Sequence, residues 1–570
     1  MKIVAALLFL TLTTIPARAD DRWVERTLRS MTTDEKVGQL LMARVGPEGF
    51  RALDSDEIEE VRRAITEMHV GSVHGGIGDA ATLAVKLNEL QRLAKIPLLV
   101  SANLEGGAGY VLYGATRMPL AMAIAATGDE RLAYEAARVA AEEGRAVGVN
   151  VNFYPVADVN NNPDNPIINI RSFGEDPEAV SRFVAAYVRG TQEHGQIATA
   201  KHFPGHGDVA VDSHLAMPTL DVDRARLDAV ELPPFRAAID AGAKAFMTAH
   251  IWLPRLESEE GLPATLSDDV LTDLLREDLG YDGVVFTDSM GMRGVSVAFE
   301  PGEAAVRAVE AGADIVIGSP DLDAAYRSLQ DAVRSGRISE ERLDRSVRRI
   351  LRAKASLGLH RSDARFIDPG ALMDVVGTDE NRAIAQQIAD RAITLVKSDG
   401  DVLPLEPDAD LRVLQVNLLD TRSGWREGPV GRIAARELPK RFPHAVTVQL
   451  DDETPAREYE LARKLASFAD AIVVNAFIRV ASYKGSIDLG TEQMRFLRDV
   501  IGLEKPLVVT AFGSPYLLRA VPEIPAYAVT YDISGTAERA AVKALTGEIP
   551  YRGRLPIEVA GHPIGHGLTP

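Results

Sequence analysis

The most informative stretch of this sequence runs from Lys201 to His214 and reads KHFPGHGDVAVDSH. Three histidines, two aspartates and a lysine fall within these fourteen residues. Pro204 and the neighbouring Gly205 and Gly207 oppose a continuing helix, so the side chains are expected on an irregular loop. Because loops on a rigid scaffold commonly carry working groups, this segment is the first place to look for chemistry.

Asp212 and His214 are spaced to act as a pair within this segment. They lie two residues apart, so in an extended or turn conformation both side chains can face the same side. A carboxylate fixes the tautomer of a histidine and stabilises its imidazolium, which suits a group that donates a proton and later accepts one. The alternative interpretation is a structural histidine whose hydrogen bonds are satisfied within a turn.

A metal site is the sharper alternative for the same segment. The segment lacks the H-x-x-x-H helical spacing that would orient two imidazoles toward one ion, so we expect no metal and no other cofactor. Dialysis against a chelator separates the two interpretations, because only a metal-dependent enzyme would lose activity. The possible ligands are His202, His206, Asp208, Asp212 and His214.

A second reactive group, Asp288, closes an otherwise apolar run in GVVFTDSMGM. An acidic residue at the end of a buried strand is costly unless a functional site uses it. Retaining glycoside hydrolases need a carboxylate that attacks the anomeric carbon and a separate group that protonates the leaving oxygen. Asp288 and His214 would supply these two roles. The alternative is that Asp288 only caps the helix that follows.

These groups need a scaffold that brings distant segments together. Short apolar runs alternate with amphipathic helical stretches through the first part of the chain, which predicts a (β/α)8 barrel of the TIM type. Reactive groups in such barrels lie at the carboxyl ends of strands, and polar residues follow most of these runs. A doubly wound sheet would instead gather them at one switch point. The eight runs are 40–45, 70–75, 97–103, 150–156, 197–203, 245–251, 283–289 and 314–319.

A second α/β series follows the barrel region. Six further apolar runs between residues 393 and 532 predict a smaller α/β sandwich domain. We therefore divide the chain into a barrel over residues 20–360, a linker over 361–390 and a C-terminal domain over 391–570. No comparable group of reactive residues occurs in the C-terminal domain, so we expect it to pack on the barrel without supplying the acid/base.

Residues 1–19 are typical of a secretory signal peptide, with Lys2, an apolar run and small residues at Ala17 and Ala19. We expect an exported protein, periplasmic or secreted, without stable membrane insertion after cleavage. An uncleaved anchor is the alternative, although the apolar run is short for a membrane span.

The chain has no cysteine, which excludes disulfides and thiol chemistry. Its net charge of −19 disfavours nucleic acid as a partner.

The pattern K-H-F-P-G-H-G-x4-D-S-H resembles the signature of the bacterial β-N-acetylhexosaminidases of glycoside hydrolase family 3, in their two-domain form. The stretch Glu105-Gly106-Gly107, the stretch 169–174 (NIRSFG) and Asp288 on its strand are also similar to that family. The likeness covers roughly residues 30 to 360 and extends more weakly into the second domain. It implies that Asp288 is the nucleophile and that His214, paired with Asp212, is the acid/base.

The resemblance also implies a sugar-binding set. Lys201 and Arg171 would give charged donors to sugar hydroxyls, and His202 a donor or acceptor. Glu105 is assigned to the same subsite. The alternative for Arg171 is an ordinary ion pair at the barrel rim, since Glu175 and Asp176 are close in sequence. His250 is a further candidate, with a core histidine as its alternative.

One position departs from the family pattern: Asn103 stands where an aspartate is common. An amide keeps hydrogen bonding to a sugar hydroxyl but removes the charge, so sugar preference can differ. The sequence predicts a retaining exo-acting β-N-acetylglucosaminidase that acts on a small-molecule or oligosaccharide substrate by hydrolysis. Phosphorolysis is also conceivable, because a histidine donor need not repel an incoming phosphate anion as a carboxylate donor would. The alternatives are a β-glucosidase of the same fold and a non-catalytic sugar-binding protein.

Overall fold

The computed structural model describes residues 19–45, 56–75, 78–421 and 430–569. Its first sheet is parallel, in the order β1-β2-β4-β6-β7-β8-β9, and β3 pairs with β5 beside it. The strands buried at its centre are continuous apolar runs, as parallel strands covered on both faces usually are. The strands are β1 (Met42–Arg44), β2 (Ser72–His74), β3 (Gly78–Asp79), β4 (Leu99–Ala102), β5 (Leu112–Tyr113), β6 (Val151–Asn152), β7 (Ile197–Phe203), β8 (Ala245–Thr248) and β9 (Val284–Phe286).

The eighth apolar run closes this sheet into a barrel through two bridging residues and not through a full strand. Ile315 pairs with Phe286 of β9, and Val316 pairs with Leu41 next to β1. Asp314, fully buried just before them, accepts a hydrogen bond from the main-chain nitrogen of Val285 at 3.0 Å. Burial raises the pKa of Asp314, but nearby arginines, led by Arg276, outweigh this and lower it.

Helices surround the barrel and alternate with its strands. Their ends carry the expected caps: the Ser339 side chain accepts from the Arg342 nitrogen at the start of α13, and Gly148 ends α6 at a φ of 98°. The helices are α1 (Ala19–Ser30), α2 (Thr33–Gln39), α3 (Asp56–Thr66), α4 (Ala80–Leu93), α5 (Ala121–Ala126), α6 (Glu130–Val147), α7 (Pro177–Glu193), α8 (Arg224–Arg226), α9 (Pro233–Asp240), α10 (Arg293–Ser296), α11 (Pro301–Ala311), α12 (Leu322–Arg334) and α13 (Glu340–Ser356).

Shorter helical turns complete the barrel region. The 3-10 helix Asn169–Arg171 carries Arg171 into the site, and the π-helical turn Leu227–Glu231 lies beneath the loop that follows β7. The remaining turns are the 3-10 helices Ala108–Tyr110 and Ala264–Leu266 and the π-helix Asp269–Asp278.

Three helices follow the barrel: α14 (Ser362–Arg365), α15 (Leu372–Val375) and α16 (Asp379–Ala392), with a 3-10 turn at Pro369–Ala371. Helix α16 covers the last part of the predicted linker 361–390 and continues to Ala392, and no sequence pattern predicted it. Its Asn381 donates to the buried carboxylate of Glu143 on α6 at 3.0 Å, so this segment is attached to the barrel. The domain boundaries themselves stay a prediction.

The second sheet has the order β10-β15-β14-β13-β11-β12, in which only β10 and β15 are antiparallel. Helices flank it on both faces, with apolar clusters on each side. Its strands are β10 (Thr394–Ser398), β11 (Val413–Leu419), β12 (Val446–Asp451), β13 (Ala471–Ile478), β14 (Leu507–Gly513) and β15 (Ala526–Val529), and its helices are α17 (Arg432–Glu437), a 3-10 turn at Leu438–Lys440, α18 (Ala456–Phe468), α19 (Thr491–Ile501), α20 (Leu517–Ala520) and α21 (Gly535–Leu545).

These two sheets confirm the predicted fold, a (β/α)8 barrel followed by an α/β sandwich. Each of the six runs predicted for the sandwich overlaps one of its strands. The signal peptide predicted over residues 1–19 lies outside the described residues, apart from Ala19 at the start of α1. Across the described part of the chain, no helix combines the length and the apolar character needed to cross a membrane.

Candidate active site

Asp212 and His214 form the pair that their spacing predicts. His214 Nδ1 donates to Asp212 Oδ1 at 2.7 Å, and the His214 main-chain nitrogen donates to the same oxygen at 2.9 Å. The Asp212 side chain is fully buried, whereas that of His214 keeps 20% of its surface exposed. Because Nδ1 is committed to the carboxylate, Nε2 is the nitrogen that remains available for a substrate.

Asp288 follows β9 by two residues, at the carboxyl end of the barrel. Its main chain is held by a hydrogen bond from its nitrogen to Thr248 Oγ1 at 3.1 Å, and Oδ1 accepts from the Ser289 nitrogen at 2.7 Å. Burial raises the pKa of Asp288, but the charges of neighbouring imidazoles lower it to about 2, with the largest effects from His202 and His250 and a further one from His214. The carboxyl is therefore ionised at neutral pH, as a nucleophile must be.

His202 is held by a carboxylate that the sequence analysis did not single out. His202 Nδ1 donates to Asp158 Oδ2 at 2.8 Å, and the main-chain nitrogens of His202 and His206 donate to Asp158 Oδ1 at 3.1 and 2.7 Å. Asp158 is fully buried and follows β6. It thereby fixes the turn after β7 and holds the His202 ring close enough to Asp288 to lower the pKa of that carboxyl.

Three charged side chains form a buried cluster on the neighbouring side of the barrel mouth. Arg171 binds Glu105 through Nε and Nη2 at 2.8 and 2.9 Å, and Lys201 Nζ lies 2.7 Å from Glu105 Oε1. Lys201 also donates to Asn103 Oδ1 at 3.1 Å. Burial raises the pKa of Glu105, but the two cations lower it far below its usual range. Glu105 thus orients both cations.

His250 follows β8 and is completely buried. Its Nε2 donates to the carbonyl oxygen of Ser289 at 3.0 Å, and its Nδ1 lies 2.8 Å from Thr265 Oγ1. Burial lowers the pKa of His250. Since both ring nitrogens have partners within the protein, the geometry favours a role in holding the Asp288 turn over direct contact with a sugar.

The five side chains considered as metal ligands are divided among separate partners. Asp208 pairs with Arg226 at 3.1 Å, and His206 Nε2 lies 2.9 Å from Ser213 Oγ; the others form the histidine–aspartate pairs described above. Among the described residues, no group of three or more histidine, cysteine, aspartate or glutamate side chains is arranged to hold a metal ion.

The C-terminal domain reaches this site. The main-chain nitrogen of Tyr483 donates to Asp212 Oδ2 at 2.8 Å, and the rings of Tyr483 and His214 meet edge to face with centroids 4.9 Å apart. Further along the interface, Asn160 donates to the Tyr516 hydroxyl at 3.0 Å. The C-terminal domain therefore contacts both residues of the predicted acid/base pair, and the expectation that it supplies no acid/base group of its own stays a prediction.

Comparison with known proteins gives the family of this chain. The family profile described as "Glycosyl hydrolase family 3 N terminal domain" matches residues 32–353. The chain belongs to glycosyl hydrolase family 3. A relative from Cellulomonas fimi, named beta-N-acetylglucosaminidase/beta-glucosidase, is 33% identical over 96% of this chain and 98% of its own length.

Two solved structures resemble nearly the whole chain. A family 3 beta-N-acetylglucosaminidase from Paenibacillus sp. str. FPU-7 has a TM-score of 0.83 at 38% identity and covers 93% of this chain and 99% of its own. The beta-glucoside phosphorylase BglX has a TM-score of 0.84 at 28% identity, with 95% and 97% coverage. Both barrel and sandwich are therefore features shared within family 3.

Sequence reasoning missed two residues of this site. Asp158 follows the fourth apolar run as Glu105 follows the third, and this position was a signal that could have found it. Tyr483 gave no signal, because its partner Asp212 is 271 residues away and its own loop has no reactive pattern. The roles predicted for the other site residues stay predictions, although the barrel brings them to one face.

Proposed function

We propose that this protein is a retaining, exo-acting β-N-acetylglucosaminidase that hydrolyses a terminal β-linked N-acetylhexosamine. The observation that carries the proposal is the pairing of His214 with Asp212 beside the ionised Asp288. This arrangement offers one carboxylate for attack and one imidazole nitrogen for proton transfer, which are the two parts that a retaining mechanism requires. Membership in family 3 and the names of the relatives support the same reaction class.

In the first step, an Asp288 oxygen attacks the anomeric carbon as the bond to the leaving oxygen breaks. His214, protonated at Nε2, gives that proton to the leaving oxygen, so an alcohol departs and a glycosyl ester remains on Asp288. Asp212 accepts the Nδ1 hydrogen bond throughout and stabilises the imidazolium before transfer.

In the second step, the neutral imidazole takes a proton from a water molecule. The resulting hydroxide oxygen bonds to the anomeric carbon, and the ester bond to Asp288 breaks with its electron pair returning to the carboxylate. Two inversions at one carbon give net retention. The enzyme returns to its starting protonation state, with the imidazole of His214 again charged.

The buried cation cluster supports the assignment of a sugar-binding subsite. Glu105 and the carbonyl oxygen of Ile167 accept hydrogen bonds from three N–H donors of the Arg171 guanidinium. Glu105 and Asn103 occupy two of the three N–H donors of the Lys201 ammonium group. The remaining donors have no partner within the part of the chain that the structure describes, and they can bind sugar hydroxyls. Because Glu105 fixes both side chains, little conformational entropy is lost when a sugar binds.

Two measurements test the proposal. Turnover of nitrophenyl N-acetyl-β-glucosaminide should exceed that of nitrophenyl β-glucoside, and a 5-fluoro glycoside should leave a sugar adduct that mass spectrometry locates on Asp288. A matched Asp288→Asn variant should show neither turnover nor adduct. Failure to turn over either glycoside, or labelling at a different residue, would overturn the assignment.

A β-glucosidase is the second candidate, and two observations favour it. Asn103 stands beside Lys201 in the sugar subsite, and the Cellulomonas fimi relative carries both activities in its name. The similarity to a named phosphorylase adds a third outcome to test. Release of sugar 1-phosphate at rates that rise with phosphate concentration would replace hydrolysis as the main reaction.

We also propose that the protein is exported and that it works in the periplasm or outside the cell. The support is the amino-terminal pattern of residues 1–19. Fractionation of cells that express the full chain, followed by sequencing of the protein's amino terminus, tests this. A chain that retains Met1 in the cytoplasmic fraction would contradict it.

A further inference from the structure

The contact between the C-terminal domain and the histidine–aspartate pair involves both oxygens of Asp212. His214 occupies Oδ1 through two donors, and the Tyr483 main-chain nitrogen occupies Oδ2. A carboxylate held at one oxygen alone can rotate about its Cβ–Cγ bond. With Tyr483 bound to the other oxygen, Asp212 is fixed in the orientation that points Oδ1 at His214.

The loop that presents Tyr483, residues 479–490 between β13 and α19, is anchored to the second sheet. Lys484 is buried and forms an ion pair with Asp420, which follows β11, and its Nζ also donates to the Arg479 carbonyl oxygen at 2.7 Å. Tyr483 itself adopts a φ of +67°, which a bulky side chain rarely takes. Strained backbone of this kind persists where the surroundings over-determine it.

The Tyr483 ring makes the second contact. It lies edge to face against the His214 imidazole, and yet 61% of the tyrosine remains exposed. An exposed ring contributes little to the stability of its own domain, so its position against the imidazole is not explained by packing of the sandwich. Edge-to-face contact instead limits the orientations that His214 can adopt.

We propose that Tyr483 is a positioning residue for the acid/base, supplied by the C-terminal domain. Its main-chain N–H fixes Asp212 and its ring restrains His214, so that Nε2 faces the leaving oxygen. This inference rests on the proposed glycosidase function. It assigns the second domain a part in proton donation, which acts through the contacts of Tyr483 with Asp212 and His214.

Proton donation matters most for a poor leaving group, which gives the proposal a specific readout. The kcat/KM for chitobiose depends on proton transfer to the glycosidic oxygen, which leaves as a sugar hydroxyl, whereas nitrophenolate departs with little help. Two changes separate the contacts. Tyr483→Gly suits the positive φ and keeps the N–H but removes the ring, and an amide-to-ester replacement at residue 483, made with the α-hydroxy analogue of tyrosine, removes only the N–H.

Both variants should lower kcat/KM for chitobiose by about tenfold while changing kcat/KM for nitrophenyl N-acetyl-β-glucosaminide by less than about twofold. Tyr483→Phe keeps both contacts and should restore the wild-type ratio of the two values. Tyr113→Ala is the matched control, because Tyr113 is 63% exposed and lies on β5, which pairs with β3. A lowered ratio in either variant supports the proposal.

The proposal is overturned if both variants keep the wild-type ratio of kcat/KM for chitobiose to kcat/KM for the nitrophenyl substrate. An equal loss of activity on the two substrates also keeps this ratio and counts as the same result. Failure of the proposed function gives a different result, in which the wild-type protein hydrolyses neither substrate. Circular dichroism of each variant checks that the sandwich is folded before the kinetics are compared.

Discussion

Replacing Asp212 by asparagine is the most direct perturbation of the proposed acid/base. The carboxylate accepts three hydrogen bonds, two from His214 at 2.7 and 2.9 Å and one from the Tyr483 nitrogen at 2.8 Å. Asparagine has one accepting oxygen, so its NH2 group must face a donor on one of the two sides. Asp212→Asn therefore loses the charge and at least one of these bonds.

The magnitude follows from the hydrogen bond that links the two side chains. A hydrogen bond to a charged group contributes about 1.5–3 kcal/mol, and about 1.4 kcal/mol corresponds to a tenfold change in rate. The expected loss in kcat/KM is therefore about 10- to 150-fold for a substrate whose leaving group needs protonation. It cannot exceed the ~10²–10⁴-fold that general acid catalysis usually supplies.

A series of aryl N-acetyl-β-glucosaminides with leaving groups of decreasing acidity provides the assay. The loss in kcat/KM for Asp212→Asn should grow as the leaving group becomes more basic, because the imidazolium then has more work to do. Asp208→Asn, on the same loop but paired with Arg226, should stay within about twofold of the wild type across the series. A loss that is equal for all leaving groups would refute the reasoning, since it would mean that Asp212 acts only on folding.

Four further predictions concern charge and metal. Glu105→Gln leaves two buried cations without their shared carboxylate, so KM should rise about tenfold. The same variant should lose roughly 3 kcal/mol of unfolding free energy, measured by urea denaturation. An unchanged KM would argue against the sugar subsite. Because the pKa of Asp288 is about 2, kcat/KM for a nitrophenyl substrate should show no acid limb between about pH 4 and pH 6, and a limb near the usual carboxyl pKa would contradict this. The pKa of the Asp314 carboxyl is lowered below its usual ~3.9. The stability contributed by the ionised Asp314 should therefore be complete above pH ~3.9 and be lost as the pH falls through the lowered pKa of the folded state. The urea midpoint should then drop more steeply with falling pH in the wild type than in Asp314→Asn. Dialysis against a chelator should leave kcat unchanged, and recovery of a lost activity by added metal would reverse the assignment.

Much of the fold could be predicted from the sequence because its periodicity is local. Apolar runs of strand length that alternate with amphipathic stretches indicated both the barrel and the sandwich. The eighth run shows the limit of this reasoning. Its apolar residues suggest a strand over 314–319, but the structure pairs only Ile315 and Val316 with neighbours, because closure of the barrel depends on registers that no single segment encodes.

The sequence by itself determined the Asp212 and His214 pair, because a separation of two residues on one loop brings a carboxylate and an imidazole together without help from the rest of the chain. The resemblance to family 3 likewise came from a pattern of consecutive residues. Tertiary structure alone decided the partners of the other groups. His202 meets Asp158 across 44 residues, Arg171 meets Glu105 across 66, and Tyr483 meets Asp212 across 271. Such contacts depend on how strands align around the barrel and how the second domain docks, and these are collective results of packing that the types of the residues do not record.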